Sequence, residues 1–341
     1  MDMSYRRRFI HTMSLLWAFV GLGWATGQMG PSFPDLRIIV DQDLDTASWL
    51  FTIAAIGYMV GSFLSGILYD RFNKVLLIAF YAVVLSVFTG LVPWCQWFSV
   101  MMVVKFICGL AAGGLDTGGN ADIISIWGVK GGSYMQALHF SFGIGGIASP
   151  VATEPFLAKT ICQADGEQSS KANKTLNETF YNSTDKTICV QTYGTSYVHF
   201  AYLITFFVVL SSSVPFFIMN IKWTENNQDG RGADINGLPR PNPLPIKQKL
   251  LILALLFLIF FTYCAVEDTF FGYLATFCIN YLQWNSSISS YATSLFWTSY
   301  SIGRFSGIFL IKYFRPVQLL FAFLVLLILS FVGFLTASLV Y

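Results

Sequence analysis

Nine stretches of about 20 predominantly apolar residues run through the chain, each long enough to cross a bilayer as a helix. They cover 9–31, 46–69, 75–95, 97–121, 133–157, 197–220, 249–277, 286–311 and 316–340. Inside hydrocarbon every backbone N–H and C=O must find a partner within the protein, so continuous apolar runs of this length become helices. The expectation is an all-α polytopic membrane protein. Composition agrees: only 11% of the 341 residues are charged, against about 25% in soluble domains. The net charge is +2 and the lysines and arginines stand singly between apolar runs, so there is no basic patch for nucleic acid. The first stretch follows Arg6, Arg7 and Arg8 as a secretory signal would, but its apolar core is too long and no small-residue cleavage site follows. It reads as the first span, with the N-terminal tail in the cytoplasm.

Two signals set the orientation. Basic residues gather in alternate loops: Arg71 and Lys74; Lys130; Lys222, Arg231, Arg240, Lys247 and Lys249; Lys312 and Arg315. The opposite loops at 92–96 and 279–285 carry none, which places the basic set inside. All four N-x-S/T sequons, at Asn173, Asn177, Asn182 and Asn285, fall in loops 158–196 and 278–286 on the other side, where glycosylation occurs. A multi-pass protein of the plasma membrane is expected. Cys162 and Cys189 share the sequon-bearing loop, and an oxidising compartment favours a disulfide between them. Cys95, Cys108, Cys264 and Cys278 lie in or beside spans and read as inert. No C-x-x-C or H-E-x-x-H spacing occurs.

The chain also repeats. A shift of 242 residues lays "YMVGSFLSGILYDRFNKVLL" (58–77) on "YSIGRFSGIFLIKYFRPVQLL" (300–320), pairing Tyr58 with Tyr300, Gly61 with Gly303, Phe63 with Phe305 and Phe72 with Phe314. Six spans precede a polar, Pro- and Gly-rich linker, and then the pattern restarts. Six-helix repeats joined by a cytoplasmic linker are the architecture of major facilitator transporters, two similar bundles rocking about a site between them. The expected domains are residues 1–220, a six-helix bundle with extracellular loop 158–196; 221–248, the cytoplasmic linker; and 249–341, three helices of a second bundle. By the offset, helices ten to twelve are expected to be lacking, as in a truncated isoform or a natural shorter variant.

The polar residues inside the spans carry the functional reading. An acid at the centre of a membrane helix costs about 2.5–3.5 kcal/mol on insertion scales. Asp116 in "GGLDTGGNADIISIWG" (113–128) is such an acid, and Asn120 follows one turn later. Carboxylate and amide oxygens at i and i+4 can reach a hydroxylated substrate or a hard cation that prefers oxygen ligands. Lys105 lies on the same stripe, eleven residues back and about 16 Å away along the axis. In the fifth span Gln136, His139 and Phe140 fall within about a turn, and Gly143, Gly145, Gly146 and Pro150 make that helix bendable. The seventh span holds adjacent acids, Glu267 and Asp268. Neighbours on a helix diverge by about 100°, and Glu267 is the one expected to face the interior. Gln28 is the polar member of the first span, and Trp17, Trp24, Trp297 and Tyr300 are candidates for stacking on a sugar ring.

Several of these motifs resemble known proteins. The turn "GSFLSGILYDRFNK" (61–74) resembles the signature loop of major facilitators, so Gly61, Asp70 and Arg71, with Arg304 from the second copy, are expected to form a conformational latch. "LDTGGN" (115–120), "MQALHFSFGIGGIASP" (135–150) and "SLFWTSYSIGR" (294–304) closely resemble the sodium-dependent glucose transporter 1 group, related to bacterial fucose–proton symporters. The resemblance implies sugar transport coupled to a cation. In the fucose symporters a span-four carboxylate, followed four residues later by asparagine, occupies the place of Asp116 and takes part in coupling. Those proteins also carry a first-span aspartate facing the cavity, which 15–33 lacks, a difference that favours sodium over protons.

The expected function is therefore import of a glucose-like hexose by alternating access, coupled to sodium held at Asp116 and Asn120. Substrate contacts are expected from Gln28, Gln136, His139, Glu267 and Trp297. The alternatives are a uniporter, a cation-coupled carrier of another small polar solute, or a truncated form that transports nothing. Beyond sodium no cofactor is implied. No nucleophile–base pair, phosphate loop or metal cluster suggests an enzyme. The partners are the sugar, sodium and the lipid bilayer.

Overall fold

A computed structural model describes residues 3–163, 179–180, 189–193, 195–224 and 245–340. The long helices among them are α1 (Met3–Ile39), α3 (Trp49–Leu68), α4 (Lys74–Leu91), α5 (Phe98–Trp127), α6 (Gly131–Thr153), α7 (Val198–Thr224), α8 (Ile246–Asn280), α9 (Ser286–Tyr313) and α10 (Pro316–Val340). A short α2 (Leu44–Ala47) precedes α3. It is capped by the carboxylate of Asp43, which accepts from the Thr46 amide at 3.3 Å, and the Thr46 bond holds that carboxyl below the usual carboxylate range. The nine long helices coincide with the nine apolar stretches. Their ends differ by a few residues: α7 runs on to Thr224 and α8 begins at Ile246, so each takes residues from the expected linker 221–248.

The largest departure is α1, which continues past residue 31 through Pro31 and Pro34. A proline removes one backbone donor and leaves the carbonyl four residues earlier without its bond. Pro31 and Pro34 free the carbonyls of Gly27 and Gly30, and between them the Ser32 hydroxyl donates to the Gln28 carbonyl at 2.8 Å and meets the Tyr202 hydroxyl at 2.8 Å, tying this part of α1 to its neighbours. The first span therefore does contain an acid, Asp35, just beyond the stretch that looked free of one.

α1, α3, α4, α5, α6 and α7 form the first bundle, with α3 against α5, α1 against α6 and α7, and α4 against α5 and α7. Membrane helices gain little from apolar contact with each other, so small residues and close backbone approach decide which faces meet. α3 carries Gly57 and Gly61; α5 carries Gly109 and Gly113. A methyl added at Gly61 would lie 1.9 Å from the Leu110 carbonyl oxygen, and one at Gly113 would lie 2.1 Å from that of Tyr58. Two G-x-x-x-G faces thus interlock, and Gly61 is a packing residue.

α8 and α9 pack together, α8 against α1 and α9 against α6, with α10 beside α9. Six of the long helices are apolar enough to span a membrane by length and composition; α6 and α9 are not among them. These two form the seam between the halves, and their polarity has a use. Ser290 donates to the Pro150 carbonyl at 2.7 Å and Ser294 to that of Ile147 at 3.1 Å. Trp297 fills the hollow left by Gly146. Ser286 donates to the Ala158 carbonyl at 2.9 Å, and Ser287 to the Glu154 carboxylate.

Between α6 and α7 lie three short antiparallel strands, β1 (Thr160–Gln163), β2 (Thr179–Phe180) and β3 (Cys189–Tyr193), in the order β1-β3-β2. Cys162 stands opposite Gln191, two residues from Cys189. The side chains of both cysteines, and Asn173, Asn177 and Asn182, lie outside the described residues, so the expected disulfide and three sequons do too. The fourth, Asn285, is the N-cap of α9 and accepts from the Ile288 amide at 2.8 Å.

Candidate functional site

Asp116 sits in the middle of α5 on the stripe that faces α3. Gly113 lets the two backbones approach closely enough for Tyr58 of α3 to reach it: the Tyr58 hydroxyl donates to Asp116 Oδ2 at 2.5 Å. On the other side Asn120 Nδ2 donates to Asp116 Oδ1 at 3.1 Å. The carboxylate only accepts, which fixes the amide with its nitrogen toward Asp116 and its oxygen away. That oxygen, Asn120 Oδ1, is buried with no hydrogen-bond partner among the described residues. A carboxylate and a neighbouring amide oxygen are chemically able to coordinate a hard cation or to accept from a hydroxyl.

The other half meets this group across a cleft. On α8, Tyr263 and Glu267 are hydrogen-bonded to each other, and Cys264 and Asp268 are exposed. Tyr58 lies within electrostatic reach of Cys264 and Asp268. On α9, Tyr300 and Arg304 are hydrogen-bonded, the guanidinium standing over the Tyr300 ring at 5.0 Å from its centroid. The Arg304 charge reaches Asp116, Glu267 and His139. Toward the strand-bearing end the cleft closes on an aromatic cluster. Phe51 of α3 lies 4.7 Å from Phe33 of α1 and 4.8 Å from Tyr273 of α8, centroid to centroid. Gly30 and Gly272, which the repeat pairs, make the close approach there: a methyl at Gly30 would lie 2.3 Å from the Phe271 carbonyl oxygen.

Residues 7–160 match the Major Facilitator Superfamily. The human protein named sodium-dependent glucose transporter 1 is 31% identical over 322 residues, covering 94% of this chain and 59% of that protein. The zebrafish protein of the same name is 30% identical over 324 residues, 93% of this chain and 52% of its own length. The fold is similar to the crystal structure of a D-xylose–proton symporter, with a TM-score of 0.57 and 11% identity over 90% of this chain and 69% of that one. Residues 7–160 belong to the major facilitator superfamily, and the chain as a whole has its fold. It is a multi-pass membrane protein related to sodium-dependent glucose transporter 1, and it spans little more than half the length of those two relatives. Members of this superfamily are transporters rather than enzymes.

The major facilitator fold brings some of the expected residues together and separates others. Asp116, Asn120, Glu267, Tyr300 and Arg304 share the cleft. His139 lies beside it, edge-on to Phe19 at 5.9 Å. Gln136 packs at the α6–α9 seam against Gly307. Trp297, 1% exposed, is sealed in that seam by Phe142, Phe271 and Phe296. Gln28, 1% exposed, is inside the first bundle and accepts from Thr205 at 2.6 Å. Trp24 bonds the same threonine at 3.0 Å, and Trp17 bonds Ser211 at 3.1 Å. Lys105 points to the Met29 sulfur at 3.2 Å. Asp70 and Arg71 are exposed in the turn after α3, and neither has an ion-pair partner among the described residues. Arg304, grouped with them by the repeat, stands instead in the cleft, because its counterpart by the 242-residue shift is Ser62 in mid-helix rather than the turn.

Sequence reasoning passed over two acids that the structure accounts for. Asp122, six residues after Asp116, points to another face of α5 and holds three helices together. His11 of α1 lies 2.7 Å from its Oδ2, and Tyr69 donates to its Oδ1 at 2.9 Å. Asp35 accepts from the Ala158 amide at 2.9 Å and from Ser196, tying the end of α1 to the segments that flank the strands. Tyr58 was visible only as Tyr300's partner in the repeat. Tyr263 gave no signal beyond its place one turn before Glu267.

Proposed function

We propose that this chain forms the cation- and sugar-binding part of a secondary carrier that moves a glucose-like hexose together with sodium. The observation that carries the reading is the pair Asp116–Asn120, a charged oxygen ligand beside a buried amide oxygen with no donor. Sodium is a hard cation suited to such oxygens. Among the described residues there is no group of three His, Cys, Asp or Glu for a transition metal. Across the cleft Glu267 and the Tyr263, Tyr300 and Arg304 donors supply the mixed donors and acceptors that sugar hydroxyls require. The relatives' name, sodium-dependent glucose transporter 1, agrees with this assignment.

The cycle follows from two-state physics. A ligand drives the halves between conformations only if it binds them unequally. Asp116 belongs to one half and Glu267 to the other, so a cation and sugar between them favour a state in which the halves close on both. The basic turns face the cytoplasm in this reading and the strand-bearing end faces outward. A glycosidase that increases the protein's gel mobility supports that orientation, and unchanged mobility counts against it.

The experiment is uptake of labelled glucose by cells expressing the chain, with sodium replaced by choline as the only change. Sodium-stimulated uptake is expected. Equal uptake in the two cations, with the protein at the cell surface, removes the coupling.

A further inference from the structure

The coupled-carrier reading gives Arg304 no part in holding the cation, and its position is unusual for a guanidinium inside a membrane helix. Such groups are costly and are ordinarily paired directly with a carboxylate. Here the guanidinium is hydrogen-bonded to Tyr300 and lies over its ring at 5.0 Å, and no carboxylate among the described residues stands within 4.0 Å of it. The two carboxylates that its charge reaches already have other donors: Asp116 has Tyr58 and Asn120, and Glu267 has Tyr263. Tyr300 thus holds a fixed positive charge near carboxylates of both halves without surrendering it to either. Among the described residues three acids, Asp116, Glu267 and Asp268, lie on the helix faces around this guanidinium.

We infer that Arg304 is a built-in counter-cation that sets the affinity of this site for the transported cation; the inference rests on the coupled-carrier reading above. A cation arriving at Asp116 meets the repulsion of Arg304, which weakens its binding and keeps it releasable. The repeat shows that the charge is an addition to one half, since Ser62 occupies the matching place in α3. Two charges interacting beyond contact distance at an effective dielectric constant near 20 alter a binding constant by about an order of magnitude.

The test is sodium titration of glucose uptake by wild-type protein, R304Q and R304K, each normalised to surface protein. Removing the charge in R304Q is expected to lower the half-saturating sodium concentration about tenfold, and R304K is expected to keep it near wild type. An unchanged or raised value in R304Q overturns the inference. If R304Q does not reach the surface, R304S, which restores the serine of the first repeat, takes its place. If either variant reaches the surface but moves no sugar, the same midpoint is read from sodium protection of the Cys264 thiol in purified protein: a lowered midpoint supports the inference, and an unchanged or raised one overturns it. Wild-type uptake that ignores sodium sinks the coupled-carrier reading itself, an outcome distinct from normal sodium dependence that R304Q leaves unmoved.

Discussion

At the scale of single residues, the central contrast is between the two acids of α5. Asp122 is satisfied by a histidine and a tyrosine from other helices. Asp116 has donors too, but it carries beside it the orphaned oxygen of Asn120. Each oxygen of Asp122 meets a side chain of another helix, whereas the Asn120 oxygen beside Asp116 has no hydrogen-bond partner among the described residues. Asp116→Asn is expected to abolish sodium stimulation of uptake with surface expression retained. Asn120→Ala is expected to raise the half-saturating sodium concentration about five- to tenfold, the effect of losing one neutral oxygen ligand worth about 1–1.5 kcal/mol. Normal sodium activation in both variants contradicts the assignment. Asp116 and Asn120 were legible because polar residues in an apolar run stand out. Their partner Tyr58 was not, because a tyrosine in a membrane helix is unremarkable until a neighbouring helix is placed against it. Trp297 shows the reverse: an aromatic that suits a sugar ring in sequence terms is, in the fold, a wedge against Gly146.

Among elements, glycine spacing decides the packing that builds the site. The pairs Gly57–Gly61 and Gly109–Gly113 bring α3 and α5 into backbone contact, and Tyr58 lies within that contact. Gly113→Ala places a methyl 2.1 Å from the Tyr58 carbonyl oxygen, so the helices must part. A loss of about 1–3 kcal/mol is expected, seen as a lower melting temperature of the purified protein, together with weakened sodium activation as Tyr58 moves from Asp116. An unchanged melting temperature and unchanged activation contradict the packing account. All nine long helices were legible from apolar length, α6 and α9 included, although glycine and serine make those two the least apolar. The course of α1 past Pro31 and Pro34 was not legible, because it depends on neighbours that hold this part of the helix, Tyr202 at Ser32 and Ala158 and Ser196 at Asp35.

For the whole molecule, the two halves meet along α6–α9 and α1–α8, and the cleft between them is sealed at the strand-bearing end by Phe33, Phe51 and Tyr273. The serine bonds of α9 to α6 carbonyls are suited to a seam that must break and re-form, each such bond within a membrane being worth only about 0.6 kcal/mol. The two-bundle plan was legible from the 242-residue repeat. The cross-cleft cluster was not, since no spacing within one sequence says that α8 stands opposite α3. That juxtaposition of Asp116 with Cys264, and of both acids Asp116 and Glu267 with Arg304, is the central claim, and Cys264 offers a direct probe of it. The measurement is the rate of maleimide modification of Cys264 in the purified chain, followed by mass spectrometry, with choline, with sodium, and with sodium and glucose. Progressive slowing across the three conditions, and no sodium effect in Asp116→Asn, is the predicted result. Equal rates in all three would place the cation and the sugar elsewhere and contradict the account.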